Sequence, residues 1–361
     1  MTGRVIDGRD ADQWLAMTRA LTGRDPYFSL AYHRAFSVEA EPRAFVFENG
    51  GDRLFHPFLL HPITNVGGTE LADRGWGDIE SVYGYSGPIA SSAESSFLFR
   101  AWRWFDDWCR DQHIVSEFIR FHPLLETRRF AHPSMTVDAD RHTVLVPLDG
   151  SEDTLMRQAA PEHRNRLKKA RSAGLRFIDV TAEPDGLARF LTIYRVTMRR
   201  VGASDFYDFS DRHMLALTAG LGDRWRVFLV QDDGRDIAGA LFMISDTCLH
   251  YHLGGSLSET RKLAPNNLLF HEAALWAGRR GLGLMHLGGG RTNATDDALF
   301  RFKRRFNRNS GTYPTFYIGK RVILAEAYEH LLDLRQSKGD LSKSDGRLQR
   351  YRGQPRVFRS R

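Results

Sequence analysis

The stretch WRVFLVQDDGRDIAGALFMISDTCLHYHL, residues 225–253, decides the fold of the second half of the chain. Its apolar residues form three short blocks, at 225–230, 237–245 and 248–253, and Asp232-Asp233-Gly234 separates the first two. Short apolar blocks bounded by turn residues are typical of β-strands, and an Asp-Gly pair favours a tight hairpin turn. The stretch therefore predicts a three-stranded meander.

Helical patterns lie on both sides of this meander. Pro161 to Ala173 predicts a helix with proline in its first turn and Gly174 as its stop, followed by a strand at 175–180. A second helix follows from apolar residues at helical spacing, which are Leu187, Phe190, Leu191, Tyr194, Met198 and Val201. A helix at about 266–280 and a strand at 284–287 complete an α+β unit.

The first half of the chain has a similar pattern of strands and helices, but no repeat is visible in the sequence. We predict a hairpin at 43–62 around Asn49-Gly50-Gly51, a helix at 94–111, and strands at 114–121 and 143–147. The sequence divides into an N-terminal domain (1–148), a C-terminal domain (149–315) and a final segment (316–361). That segment is expected to hold one helix, at 323–334, and a mobile basic tail.

Composition restricts the class of protein. With 361 residues, 42% hydrophobic and 26% charged, the chain is neither disordered nor a coiled coil. No window approaches about 18 consecutive apolar residues, so we expect a soluble, cytoplasmic protein without integral membrane association. Cys109 and Cys248 have no metal-ligand spacing and are expected to be buried thiols.

Positive charge is concentrated in three places. The net charge is +7, but the clusters at 157–176, 301–308 and 347–361 together contribute +17, which leaves −10 for the rest. Such clusters on an acidic body are typical of proteins that hold a polyanion. Solvated helix faces are the alternative explanation for any single cluster.

Several common catalytic motifs are missing from the sequence. We find no glycine-rich pyrophosphate turn for CoA, no P-loop and no nucleophile elbow. Gly278-Arg-Arg-Gly-Leu-Gly283 follows a predicted helix and is interpreted as a helix stop. His250 and His252 share one strand face with no third ligand in view, so no metal site is predicted.

Seven short motifs occur in an order that carries a family resemblance across roughly residues 78–320. They are Tyr83-Gly-Tyr-Ser-Gly-Pro88, Arg120-Phe-His-Pro123, Arg164-Asn-Arg-x-Lys-Lys-Ala170, Thr197-Met-x-Arg200, Tyr251-His-Leu-Gly-Gly-Ser256, Pro265-Asn-Asn-Leu-Leu269, and Gly288-Gly-Gly290 with Leu299-Phe-x-Phe-Lys303. In this respect the chain resembles the Fem-type (FemABX-like) aminoacyltransferases. The resemblance implies two GNAT-like acyltransferase domains in tandem, each a mixed sheet flanked by helices, without the helical-arm insertion of some members.

The resemblance also implies an activity, which is transfer of an amino acid from aminoacyl-tRNA to an amine without a metal, CoA or other cofactor. Lys303, with Phe302 beside it, matches the position of the family's catalytic cation, which stabilises the oxyanion or contacts the acceptor end of the tRNA. Residues matching the acceptor pocket are Tyr83, Tyr85, Arg120, Arg200 and Tyr251. Residues expected to bind tRNA phosphates are Arg164, Arg166, Lys168, Lys169, Arg301, Arg304, Arg305 and Arg308.

Several points stay open at this level. The expected partners are aminoacyl-tRNA and a small or peptidoglycan-precursor-like amine, and no DNA, but the sequence names neither the amino acid nor the acceptor. The proton of the amine could leave through substrate, through water or through Asp78. An acyl-CoA-dependent N-acyltransferase and a non-catalytic RNA-binding protein are the alternative functions.

Overall fold

The structure is a computed structural model, and it describes residues 2–37, 39–308, 313–337 and 348–352. The strands are β1 (Thr2–Asp7), β2 (Glu41–Asn49), β3 (Asp52–Pro62), β4 (Asn65–Val66), β5 (Thr69–Glu70), β6 (Gly77–Glu80), β7 (Ile89–Ala90), β8 (Ile114–Arg120), β9 (Thr136–Pro147), β10 (Arg176–Asp179), β11 (Trp225–Asp232), β12 (Arg235–Ile244), β13 (Cys248–Ser256), β14 (Leu284–Gly289) and β15 (Thr315–Val322).

The α-helices complete the description of the elements. They are α1 (Ala11–Leu21), α2 (Leu30–Phe36), α3 (Ser95–Asp111), α4 (Glu152–Gln158), α5 (Pro161–Ser172), α6 (Gly186–Arg200), α7 (Asp211–Leu221), α8 (Pro265–Arg279), α9 (Ala298–Arg304) and α10 (Ala325–Gln336). Within the described residues, none of these helices combines the length and the hydrophobicity needed to cross a lipid bilayer.

The chain forms two compact units, of which the first contains the described residues up to Asp140 and those from Phe316 to Arg352. Its main sheet has the strand order β1-β2-β3-β6-β8-β15, with β7 added to β3. The predicted hairpin is confirmed, because β2 and β3 pair antiparallel up to Asn49 and Asp52. Helix α3 covers this sheet through stacked rings such as Phe105 on Phe45, whose centroids lie 4.9 Å apart.

The final segment belongs to this first unit instead of forming a separate tail. Strand β15, which the sequence did not predict, pairs antiparallel with β8, so that Ile318 opposes Arg120. Helix α10 and Tyr351 share a core cluster with Val115 of β8. The tail residues 348–352 are therefore packed where they are described, and the rest of the predicted tail (338–347 and 353–361) lies outside the described residues.

The second unit runs from Arg141 to Thr315 and has the strand order β9-β14-β13-β12-β11-β10. The meander predicted at 225–253 is confirmed as β11, β12 and β13, which pair antiparallel, whereas β13 and β14 are parallel. The unit begins before the predicted boundary at 148, because β9 pairs with β14 and places Val146 opposite Met285. Helix α8 packs into its core with almost every apolar side chain buried.

Candidate active site

A buried lysine lies at the end of β14 in the second unit. The strand ends at Gly289, a turn follows at residues 290–297 (the β14–α9 turn), and α9 then carries Lys303 back beside the strand. Only 5% of Lys303 is exposed. Its Nζ donates a hydrogen bond to the carbonyl oxygen of Gly289 over 2.7 Å and lies 5.2 Å from the centroid of the Tyr251 ring on β13. The structure thus brings together two of the predicted site residues, Lys303 and Tyr251.

Burial dominates the electrostatics of this lysine. Loss of solvent lowers the pKa of Lys303 to about 7, the carboxylate of Asp297 opposes this shift, and the guanidinium of Arg141 adds to it. Burial also raises the pKa of the Tyr251 phenol to about 12, so that this hydroxyl stays neutral. Near neutral pH the site therefore holds a lysine that can be either ammonium or free amine.

The β14–α9 turn is held closed by side chains that the sequence analysis did not select. Asp297 Oδ2 accepts hydrogen bonds from the backbone N–H groups of Arg291 and Thr292 over 3.1 Å each. Arg141 donates to the carbonyl oxygens of Gly290 and Arg291. A Cβ at Gly290 would collide with Oδ1 of Asp297, which explains the glycine. An aspartate directly before a short apolar helical stretch is an N-cap signal, and it could have identified Asp297.

Phe302 has a packing role. Its ring lies 5.4 Å from that of Phe306 and 6.0 Å from that of Phe270 on α8, measured between centroids. These contacts fix α9 to the core. Phe302 therefore supports the helix that carries Lys303, and the catalytic role expected of Phe302 stays a prediction.

Arg200 is anchored to the far end of β13. Its Nη1 donates to the carbonyl oxygen of Ser256 over 2.8 Å, and partial burial followed by repulsion from Arg261 lowers its pKa. Tyr251 lies earlier on the same strand, where its ring meets the edge of Phe270 at 4.9 Å. The two predicted acceptor residues of this unit are thus attached to one strand, and only Tyr251 contacts Lys303.

The other three predicted acceptor residues belong to the first unit. Gly84 adopts a φ of +87° between Tyr83 and Tyr85, and a Cβ there would lie 2.5 Å from the Tyr27 ring. The backbone N–H of Ser86 donates to the carbonyl oxygen of Arg120 over 2.8 Å. That bond joins the tyrosine loop to the end of β8, so Tyr83, Tyr85 and Arg120 are brought to one edge of this unit.

Asp78 is not available as a proton acceptor. It is completely buried and accepts hydrogen bonds from the Tyr351 hydroxyl over 2.8 Å and from Nε of Arg352 over 2.9 Å, and the Arg352 guanidinium forms an ion pair with it. Burial lowers the pKa of Arg352 to about 9. The hypothesis that Asp78 serves as general base is therefore corrected, because its carboxylate is committed to the C-terminal segment.

Two of the basic clusters meet in the second unit. The backbone N–H of Ala160, just before α5, donates to the carbonyl oxygen of Arg305 over 2.8 Å, and that of Arg308 donates to Gln158 over 2.9 Å. The exposed cations at this junction form what we call the α5–α9 basic surface, which comprises Arg166, Lys168, Lys169, Arg301, Arg304, Arg305 and Arg308. Arg164 differs, because its guanidinium donates to the carbonyl oxygens of Met156 and Ala159.

Comparisons with known proteins agree with this architecture. Residues 157–304 match a family model described as an acetyltransferase (GNAT) domain. No curated protein has a matching sequence. Among solved structures, FemX is similar with a TM-score of 0.68 at 12% identity, over 91% of this chain and 99% of that one.

Two further structures are similar at a lower level. The C-terminal domain of a candidate lysylphosphatidylglycerol synthetase from Agrobacterium fabrum has a TM-score of 0.54 at 13% identity, over 90% of this chain and 98% of that one. A conserved protein of unknown function from Bacteroides thetaiotaomicron has a TM-score of 0.57 at 12% identity, over 89% and 99%. The predicted α+β fold class is confirmed, and the chain has the Fem-like twin GNAT fold, a fold of acyltransferases.

Proposed function

We propose that the protein is an aminoacyltransferase, which moves an amino acid from aminoacyl-tRNA to the amine of a small or peptidoglycan-precursor-like acceptor. The observation that carries this proposal is the position of Lys303. It is a buried cation on the same short helix, α9, that presents Arg301 and Arg304 to solvent. A catalytic cation next to an exposed surface for phosphates is the arrangement that an ester carried at the end of a tRNA requires.

The chemistry needs orientation and charge stabilisation more than a nucleophilic side chain, because an aminoacyl ester is already activated. The acceptor amine attacks the ester carbonyl, and a C–N bond forms while the carbonyl oxygen becomes an oxyanion. Collapse breaks the C–O bond to the ribose, and the proton lost by the amine reaches the departing ribose oxygen. The products are an amide and a free tRNA end.

Lys303 is suited to donate hydrogen bonds to the oxyanion. A protonated lysine has three N–H donors, and the carbonyl oxygen of Gly289 takes one of them. Within the described part of the chain the other two meet no protein acceptor. In a buried site an ammonium interacts with a developing negative charge far more strongly than it would in water. The neutral phenol of Tyr251 below the Nζ keeps the cation on this side of α9.

The α5–α9 basic surface supports tRNA as the donor. Its seven cations come from two segments that backbone hydrogen bonds join, so they act on one region of the molecule. The name of the similar Agrobacterium protein describes the joining of a lysyl group to phosphatidylglycerol, which is also an aminoacyl transfer. Both observations favour an aminoacyl donor on a polyanionic carrier.

An acyl-CoA donor is the second candidate, because the family model that matches residues 157–304 is described as an acetyltransferase. In this chain the connection from β13 to α8, Leu257-Ser-Glu-Thr-Arg-Lys-Leu-Ala264, contains no glycine, and α8 starts with Pro265. A loop without glycine is a poor cradle for pyrophosphate, which needs close approach of backbone N–H groups. This observation favours aminoacyl-tRNA over acyl-CoA.

The test combines binding and turnover. The purified protein is titrated with a pool of total bacterial tRNA, charged and uncharged, at 50 and 200 mM salt, and release of labelled amino acid from its ester is followed with simple amines as acceptors. We expect binding that falls steeply with salt. We also expect Lys168→Glu with Lys169→Glu to reduce it strongly.

The matched control for that double variant is Arg212→Glu with Arg279→Glu, which makes the same charge change at exposed positions on α7 and α8. The control is expected to bind tRNA like the unmodified protein. Equal binding by both double variants, or the absence of tRNA binding, would contradict the proposal. Release of free CoA from acetyl-CoA under the same conditions would favour the second candidate.

A further inference from the structure

The β14–α9 turn and the start of α9 share one side chain, that of Asp297. One of its carboxylate oxygens accepts from the N–H groups of Arg291 and Thr292 and from the Thr292 hydroxyl, at 3.1–3.2 Å. The other accepts from the N–H groups of Leu299 and Phe300, over 2.9 Å each. A single carboxylate thus satisfies five donors on both sides of the turn.

Helix α9 depends on that carboxylate for its place. It has only seven residues, and a helix of this length has little stability of its own. Its N-cap side chain is therefore a main determinant of where the helix starts and of how it is oriented. Lys303 lies near the end of α9, so a change at the cap moves the Nζ relative to its acceptor, the Gly289 carbonyl.

The charges around Lys303 also assign a role to Asp297. The groups that act on the lysine are the Asp297 carboxylate from the turn, the Arg141 guanidinium from β9 and the neutral Tyr251 phenol from β13. Asp297 is the negative member of this set and favours the charged lysine, whereas Arg141 disfavours it. The same residue thus fixes the geometry of the turn and opposes the effect of burial on the lysine.

We infer that Asp297 is a positioning residue for Lys303, which fixes α9 through its five hydrogen bonds and keeps the lysine ammonium charged next to Gly289. The assignment goes beyond the residues predicted from sequence. It rests on the proposed function only in so far as a charged Lys303 serves the transfer reaction.

The first arm of the test needs no substrate. The chain has seven lysines, few enough to resolve individually by NMR after selective ¹³C labelling, and Lys303→Arg identifies the signal of Lys303. We expect the titration midpoint of Lys303 to fall by about half a unit to one unit in Asp297→Asn, which removes the charge but keeps an acceptor oxygen. The control is Asp296→Asn, an exposed neighbour that should leave the midpoint unchanged.

The second arm uses the transfer reaction. In Asp297→Asn the basic limb of the pH–rate profile should move to lower pH by the same amount, and activity should recover when the pH is lowered. A residue with a merely structural part would reduce the rate equally at every pH and leave the limb in place.

The two arms separate the inference from the proposed function. A midpoint in Asp297→Asn equal to that in Asp296→Asn would overturn the inference whatever the reaction is. A shifted midpoint without any tRNA-dependent transfer would leave the inference standing and refute the proposed function.

Discussion

Replacement of Lys303 by methionine should separate catalysis from stability. The ammonium of Lys303 is buried, and burial lowers its pKa from 10.5 to about 7. Methionine has nearly the same length, needs no solvation and suits a site lined by aromatic rings. Lys303→Met is therefore expected to abolish most of the turnover while the folded protein becomes no less stable at pH 6.

The size of the effect follows from linkage between protonation and folding. Between pH 7 and 10.5 the unfolded chain holds the proton on Lys303 and the folded chain has released it, so stability rises with pH. Below about pH 7 both states are protonated, and the full cost of burying the charge, at most about 5 kcal/mol, is present. From pH 6 to pH 9 the unmodified protein should gain about 2–3 kcal/mol relative to Lys303→Met.

The measurement is urea unfolding of both proteins at pH 6, 7, 8 and 9, followed by fluorescence. The variant also loses the hydrogen bond to Gly289 and the contact with the Tyr251 ring. Together these losses reduce the variant's gain in unfolding free energy by about 2 kcal/mol. That loss is the same at every pH. A slope with pH in the difference between the two unfolding free energies therefore identifies the buried ammonium. A difference in unfolding free energy that does not change with pH would refute the reasoning.

Three further predictions concern the first unit. Arg352→Met removes the ion-pair partner of the fully buried Asp78 and should reduce the free energy of unfolding by about 3–5 kcal/mol in urea titrations, whereas the exposed neighbour Arg350→Met should change it little. Gly84→Ala puts a Cβ 2.5 Å from Tyr27 at a positive φ and should lower the melting temperature by more than Gly75→Ala, where nothing lies within 4 Å. Burial opposes the charge of Glu117, yet Arg321 and His56 hold its pKa at about 2. The stabilisation of the fold by this carboxylate should therefore be complete above pH 4.5 and disappear towards pH 2. Acid unfolding of Glu117→Gln should lack this step.

Local patterns were enough to predict many of the strands and helices, but not α4, α7 or β6. The meander at 225–253 and the hairpin at 43–62 depend on turns within a few residues, and both are confirmed. Strand β15 escaped prediction because its pairing partner, β8, lies about 200 residues earlier, and its apolar run covers only residues 316–318 before Gly319, Lys320 and Arg321. A strand that is defined by a distant partner leaves a weak trace in its own sequence.

The site could be predicted only in part. The resemblance selected Lys303, but the run of basic residues does not show that the side chain of Lys303 is buried while those of Arg301 and Arg304 are exposed. Lys303 is buried because α9 packs back against β14, and such tertiary packing cannot be read from the local sequence. The commitment of Asp78 to Arg352 is likewise invisible in the sequence, since 273 residues separate Asp78 from Tyr351, its other partner.

The exposed and the buried cations on α9 respond to different solution conditions, the exposed ones to salt and the buried one to pH. Arg301 and Arg304 are exposed. Salt therefore screens their attraction to phosphate, with a Debye screening length of about 8 Å at physiological ionic strength. Lys303 is enclosed by protein, so salt hardly reaches it, but its pKa of about 7 makes it sensitive to pH. In the proposed reaction, binding of the donor and stabilisation of the oxyanion can therefore be varied independently, the first with salt and the second with pH, although one helix of seven residues carries both.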